Sequence, residues 1–134
     1  MGIMDMDTLK NIDFSRQEKS LRPFVQVRLA SADNIFFGSG KARLMETIER
    51  TGSLQEACKE MGLSYSKGSH MIKNTERQLG IKLVERWAGG SGGGGSRLTG
   101  EGKYLLRRYQ ELCRRVQADT EQIFPEYFPG SEEG

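Results

Sequence analysis

Along the 134-residue chain the apolar positions change period several times. From Pro23 they alternate, with Val25, Val27 and Leu29 on one side and Phe24, Gln26 and Arg28 on the other. A polar SADN turn and a second short run, IFFG, follow. This is the pattern of a β-hairpin over 24–37 with one apolar face, too small to be stable alone and so expected to lie on helices or pair with another chain. From Ser39 the period is helical: Ala42, Leu44, Met45 and Ile48 point one way until Thr51-Gly52 ends a helix over 39–51. A shorter helix over 53–61 carries Leu54, Ala57, Cys58 and Met61 on one stripe. Gly62 breaks it, Leu63 is the inward-pointing turn residue, and Ser64 offers a side-chain oxygen to cap the next helix. That helix, over 64–79, turns Ile72 and Leu79 to the core and polar and basic side chains the other way.

A short helix, a glycine turn and a polar-faced second helix make a helix-turn-helix, and the helix before them completes a three-helix DNA-binding unit. Past Gly80 the run IKLVERW is strand-like, with Leu83 and Trp87 as anchors, and Arg97-Leu98 is a short return strand. Strand, loop and strand directly after the motif describe a wing over 83–98. Between the strands lies AGGSGGGGS, which reads either as a flexible linker without contacts or as the turn of that wing. Strand residues on both sides favour the wing, and glycines there let backbone N–H groups approach phosphates closely. Thr99 caps a long helix to about Phe124. On it Leu105, Tyr109, Leu112, Val116 and Ile123 form a heptad seam with one gap, at Asp119. At about 1.5 Å per residue this helix is too long for so small a globule to cover. Tyr104 and Leu105 are expected to pack its start on its own domain, and the favoured reading pairs the rest with a second subunit. Pro125 and Pro129 are expected to stop it.

The fold class expected is therefore mainly α (α+β): a winged helix-turn-helix with an N-terminal β-hairpin and a long C-terminal dimerisation helix. Residues 1–21 read as a flexible segment, 22–98 as the DNA-binding domain, 99–124 as the dimerisation helix and 125–134 as a tail.

Composition changes this picture little. A hydrophobic fraction of 36% allows one modest core, and a net charge of +2 is weak evidence for a nucleic-acid partner. No apolar run approaches the roughly 18 residues of a membrane span, and the N-terminus lacks the basic and apolar regions of a signal peptide. Cys58 and Cys113 have no metal-ligand spacing and read as packed thiols in a reducing, cytoplasmic compartment. With His70 as the single histidine, no histidine-based triad or multi-histidine metal site can form in one chain. No dinucleotide fingerprint or P-loop is present, so neither an enzyme, a cofactor nor a metal is expected.

The DNA reading has a definite geometry. If Ser64 caps the second helix of the motif, the first turns of that helix enter a major groove. Ser64, Tyr65, Ser66, Lys67, Ser69, His70 and Lys73 are then in reach of bases and phosphates, joined by Ser53 at the start of the preceding helix and by Arg86 and Arg97 in the wing. Gly68 in mid-helix costs about 1 kcal/mol against alanine, and a close approach of the preceding helix near Ala57 would explain it. The partners expected are double-stranded DNA, at a palindromic site, and a second copy of the chain. The other reading is a winged-helix protein–protein interaction module with the long helix as docking arm.

These residues carry a family resemblance over about 36–112. The stretch from Gly52 to Arg86, followed by a glycine-rich wing and SRLTGEGKYLL, resembles the N-terminal winged helix-turn-helix of LysR-type regulators. It is more similar still to the DNA-binding domain of the molybdate-responsive ModE family. The marks are Gly52-Ser53, Gly62, Leu63-Ser64-Tyr65, Leu83-Val84-Glu85-Arg86, the Gly89–Gly95 run, and Leu98-Thr99 with Gly102. The resemblance implies a homodimeric transcriptional regulator whose second motif helix reads the major groove through Ser64, Tyr65, Ser66, Ser69 and His70. Lys67 and Gly68 depart from the pattern, which favours small apolar residues there. The resemblance stops about where such proteins begin an oxyanion-binding or effector domain, implying a short stand-alone regulator or a fragment.

Overall fold

The computed structural model describes residues 21–89 and 94–130. The mobility expected of residues 1–20, the wing tip at 90–93 and the end of the tail at 131–134 lie outside the described residues. The elements in chain order are β1 (Leu29–Ser31), β2 (Asn34–Phe37), α1 (Ser39–Thr51), α2 (Leu54–Glu60), α3 (Tyr65–Leu79), β3 (Val84–Trp87), β4 (Gly95–Leu98) and α4 (Gly100–Tyr127). The chain forms two compact units. The larger covers Gln26–Cys113, and the smaller joins the segment ending at Val25 to the stretch beginning at Arg114.

In the larger unit the helical stripes read from the sequence converge on one core. Ala42, Leu44, Met45 and Ile48 of α1, Leu54, Ala57 and Cys58 of α2, and Ile72 of α3 are all buried. Phe36 and Phe37 of the hairpin and Leu83, Val84 and Leu98 of the wing close it. Serine caps start both motif helices: Ser53 Oγ accepts from Glu56 N and Ser64 Oγ from Lys67 N, each at 3.1 Å, an arrangement that contributes about 1 kcal/mol per helix. Between them Leu63 N donates to Cys58 O at 2.8 Å and closes the turn.

Helices α2 and α3 cross where Gly68 faces Cys58. A Cβ on Gly68 would overlap the Cys58 Sγ, so any larger residue requires the thiol or the helices to move. The crossing lies one residue from Ala57, where the mid-helix glycine suggested it. Burial pushes the Cys58 thiol up from its ordinary value, partly offset by the Gly68 backbone hydrogen bond; it behaves as a packed neutral group.

The hairpin is shorter than 24–37. Pairing begins at Leu29, and the register shifts between Leu29 and Ala30. Upstream, side chains rather than a partner strand satisfy the backbone. In the larger unit the Tyr109 hydroxyl donates to Val27 O at 2.7 Å. In the smaller, Gln117 Nε2 donates to Pro23 O at 2.8 Å and Val25 N donates to Gln117 Oε1 at 3.1 Å. The alternation itself is real, since Val25, Val27 and Leu29 are half-buried and Phe24 is exposed, but it marks an extended strap.

Other expectations also change. Tyr109, placed on the seam, is buried in its own unit with its ring edge-on to Phe37 at 5.0 Å. Leu106, not singled out in the sequence, is fully buried beside it. Tyr104, expected to pack, is 68% exposed. A helix turns about 100° per residue, so Leu106 and Tyr109 share a face that leaves Tyr104 outside. Leu79 ends α3 beyond the core and is partly exposed, and Trp87 sits at the outer end of β3, where only Val84 is buried. Pro125 does not stop α4, which runs to Tyr127. A proline in the last turn removes one N–H donor, and beyond it Phe128 N still reaches Phe124 O at 3.0 Å while their rings stack at 4.9 Å.

Two measurements test this packing. Gly68→Ala is expected to lower stability by about 1–3 kcal/mol in urea unfolding. In a Cys58→Ala background the same change becomes neutral or stabilising, by up to about 1 kcal/mol, because the helix propensity gain remains once the overlap is gone. Burial, with the neighbouring Cys113, pushes the Tyr109 hydroxyl up to about 12. Its ordinary value is 10.0, so the unfolded chain loses this proton first. The stability that Tyr109 contributes is therefore complete below pH 10 and falls as pH rises toward about 12. The stability gap between wild type and Tyr109→Phe should shrink across that window.

Candidate nucleic-acid interface

The first two turns of α3 form an exposed polar surface. Ser64, Tyr65, Ser66, Lys67, His70 and Lys73 are all exposed. Among the described residues neither Lys67 nor Lys73 has an ion-pair partner. Ser69 differs: it is 8% exposed, on the buried side of α3 with Gly68, and its hydroxyl accepts from Arg86 Nη1 at 3.3 Å. It stands apart from the open polar face on which the sequence placed it. Ser53 is half-buried, with its hydroxyl committed to the α2 cap.

The strands flanking the glycine run pair as a wing. β3 and β4 are antiparallel, with Val84 opposite Leu98, Glu85 opposite Arg97, Arg86 opposite Ser96 and Trp87 opposite Gly95. The strands on either side of the glycine run are paired as the wing reading expects, and residues 90–93 between them lie outside the described residues. The Trp87 ring lies against Gly95, where a Cβ would overlap the indole.

Three polar anchors fix the wing to the helices. Glu76 of α3 turns its carboxylate to the start of the wing and accepts from Leu83 N at 2.7 Å and Val84 N at 3.3 Å. Ser96 N donates to Gly52 O at 2.9 Å while its hydroxyl accepts from Leu54 N at 3.2 Å. Thr99 caps α4 as expected, accepting from Gly102 N at 3.0 Å, and donates to Lys82 O. Charged and neutral acceptors for backbone N–H groups make this joint stiff. In the sequence Glu76 is only an acid that subtracts from a positive face. Its structural task has no local signal, since it depends on chain that returns seven residues later.

The two wing arginines have different surroundings. Arg97 Nε donates to Glu85 at 2.9 Å, and its guanidinium carbon lies 5.5 Å from the Trp87 ring centre. Glu85 therefore partly neutralises Arg97. Arg86 Nη1 donates to Tyr65 Oη at 2.8 Å as well as to Ser69. Both partners are neutral hydroxyls, so its full charge remains. A cleft of about 310 Å³ opens beside it, lined among others by Ser53, Gln55, Trp87, Gly94 and Ser96. Gln55 is not among the residues singled out by the sequence; it lies two residues past the cap Ser53, where a side chain at a helix start faces outward.

The seam residues divide. Leu105 is half-buried and Leu112 is 43% exposed in the larger unit; in the smaller, Val116 is half-buried and Ile123 is 51% exposed. Among the described residues no group of three or more His, Cys, Asp or Glu is placed to hold a metal ion. No described helix is long and apolar enough to cross a membrane.

Residues 40–103 match the family model described as bacterial regulatory helix-turn-helix protein, lysR family. The chain is 39% identical over 83 residues to the molybdenum transport protein ModE of Azotobacter vinelandii, covering 62% of this chain and 31% of that one. It is 32% identical over 105 residues to the transcriptional regulator ModE of Yersinia pestis, covering 78% and 40%. The chain thus spans 31% to 40% of the length of these relatives. Among solved structures, the DNA-binding domain in the CbnR–DNA complex shares the fold with a TM-score of 0.52, over 66% of this chain and 95% of that one, at 17% identity.

Proposed function

We propose that this chain, whose residues 40–103 match the model of the bacterial regulatory helix-turn-helix protein, lysR family, binds duplex DNA in a sequence-specific way and controls transcription as a homodimer. The observation that carries the reading is the exposed start of α3, with Lys67 and Lys73 free of carboxylate partners among the described residues, beside His70 and a wing bonded to the same helix. In this reading the first turns of α3 enter the major groove and the wing lies near the backbone. Lys67 and Lys73 bind phosphates or guanine edges, Ser64 and Ser66 reach phosphates, and His70 meets a base.

The stripe on α4 supports pairing of two copies. Leu105, Leu112, Val116 and Ile123 recur at heptad spacing, and the two most exposed of them are large apolar side chains. Tyr109 drops out of that stripe because it is committed to Phe37 and Val27. Two copies related by a two-fold axis would present two α3 helices to a palindromic site.

Selection of bound duplexes from random DNA should recover one motif with two-fold symmetry; recovery of no motif would overturn the reading. On that motif the double substitution Lys67→Ala/Lys73→Ala should weaken binding and flatten its salt dependence, by about 0.9 in log–log slope for each phosphate that is no longer neutralised. His70→Ala should instead change which bases are preferred. Leu112→Asp, at an exposed position, should leave the fold intact and halve the mass seen by sedimentation. An unchanged mass would rule out pairing through this stripe.

A further inference from the structure

The geometry points to a dedicated phosphate seat: the cleft between the start of α2, the start of α3 and the wing takes one DNA backbone phosphate, anchored by Arg86, with Tyr65 and Ser69 as positioning residues for that arginine. This rests on the DNA-binding reading above and adds the atom class that this part of the surface meets.

The inference starts from the partners of Arg86. The other wing arginine, Arg97, faces the carboxylate of Glu85 at 2.9 Å. Arg86 is held by two neutral oxygens, Tyr65 Oη at 2.8 Å and Ser69 Oγ at 3.3 Å, both on Nη1. Neutral acceptors orient a guanidinium without discharging it. The group carries five N–H donors in a fixed planar fork. Among the described residues Nε and Nη2 have no partner, so donors suited to a bidentate phosphate contact stay free.

The arginine is also fixed from behind. Its strand begins at Val84, whose N–H is held by the Glu76 carboxylate, and Ser96 opposite it is tied to Gly52 and Leu54. Ser69 is nearly buried, and its hydroxyl points to Arg86. The cleft of about 310 Å³ beside this group is ample for a phosphodiester. Gly94 and Gly95 line it without side chains, and Gln55 adds an amide donor at its rim. Tyr65 and Ser69 then act on DNA through Arg86 and not on bases. That separates them from His70, which has no such engagement among the described residues.

The test uses the full chain on its selected duplex, with binding read by anisotropy of labelled DNA and by the fluorescence of Trp87, the single tryptophan. A series of duplexes carries one neutral methylphosphonate at each backbone position in turn. Arg86→Gln is expected to weaken binding about ten- to hundredfold, equally on preferred and altered sequences. It should lower the log–log salt slope by about 0.9 per protomer. One methylphosphonate position should weaken the wild type and have no further effect on Arg86→Gln. Tyr65→Phe should weaken binding less, at that same phosphate, without changing base preference. Arg86→Lys keeps the salt slope while losing affinity, and with Tyr65→Phe it carries the test if Arg86→Gln does not fold. The inference is overturned if Arg86→Gln changes base preference, or if every methylphosphonate position retains its full effect in that variant. Failure of the wild type to bind any selected duplex would instead overturn the DNA-binding reading itself.

Discussion

The close approach of Gly68 to Cys58 sets the geometry on which the interface depends. The absence of a side chain on α3 at this point brings its axis against α2, and the thiol fills the space that remains. Close-packed interiors leave little slack for one extra carbon, so the crossing of the two helices is set here. That crossing turns the opposite side of α3 to solvent, with Lys67, His70 and Lys73 exposed on it. The residue pair that looks least suited to a reading helix, Lys67 next to Gly68, thus consists of one residue facing outward and one facing Cys58.

The wing is joined to this helix pair by directional bonds as well as by apolar packing. Leu83, Val84 and Leu98 enter the core, but the angle of the β3–β4 ladder is fixed by Glu76, Ser96 and Thr99 acting on backbone groups. A carboxylate accepting two backbone N–H groups is a charge-assisted joint, stronger than neutral hydrogen bonds of the same length. Arg86 lies just beyond that joint and inherits its rigidity. A cation oriented in advance loses less conformational entropy when an anion arrives, so the scaffold and the electrostatics of this surface are linked through one glutamate.

The long helix serves two neighbourhoods with different faces. In the larger unit Leu106 and Tyr109 bury themselves against the hairpin and core, and Leu112 stays exposed. In the smaller unit Gln117 bonds the extended backbone at Pro23 and Val25 in the manner of a neighbouring strand, with Ile123 left exposed.

The helices, their serine caps, the glycine turn and the existence of a wing are legible in the residues because each is a local property: period, cap chemistry and backbone permissiveness act within a few positions. The polar start of α3 is legible for the same reason. Three things are not. The strap at 21–28 alternates like a strand, yet a strand is defined by its partner, and side chains from α4 take that place. Tyr109 fits the heptad as well as Leu112 does; only the position of Phe37 decides that it turns inward. In sequence it is Arg86 that adjoins an acid, Glu85, while Arg97 stands between Ser96 and Leu98. Neighbours along a strand point to opposite faces, so the folded register gives Glu85 to Arg97 and leaves Arg86 with two hydroxyls. Spacing along a chain fixes which side of an element a residue occupies, whereas charge neutralisation and burial depend on what the rest of the fold places opposite it.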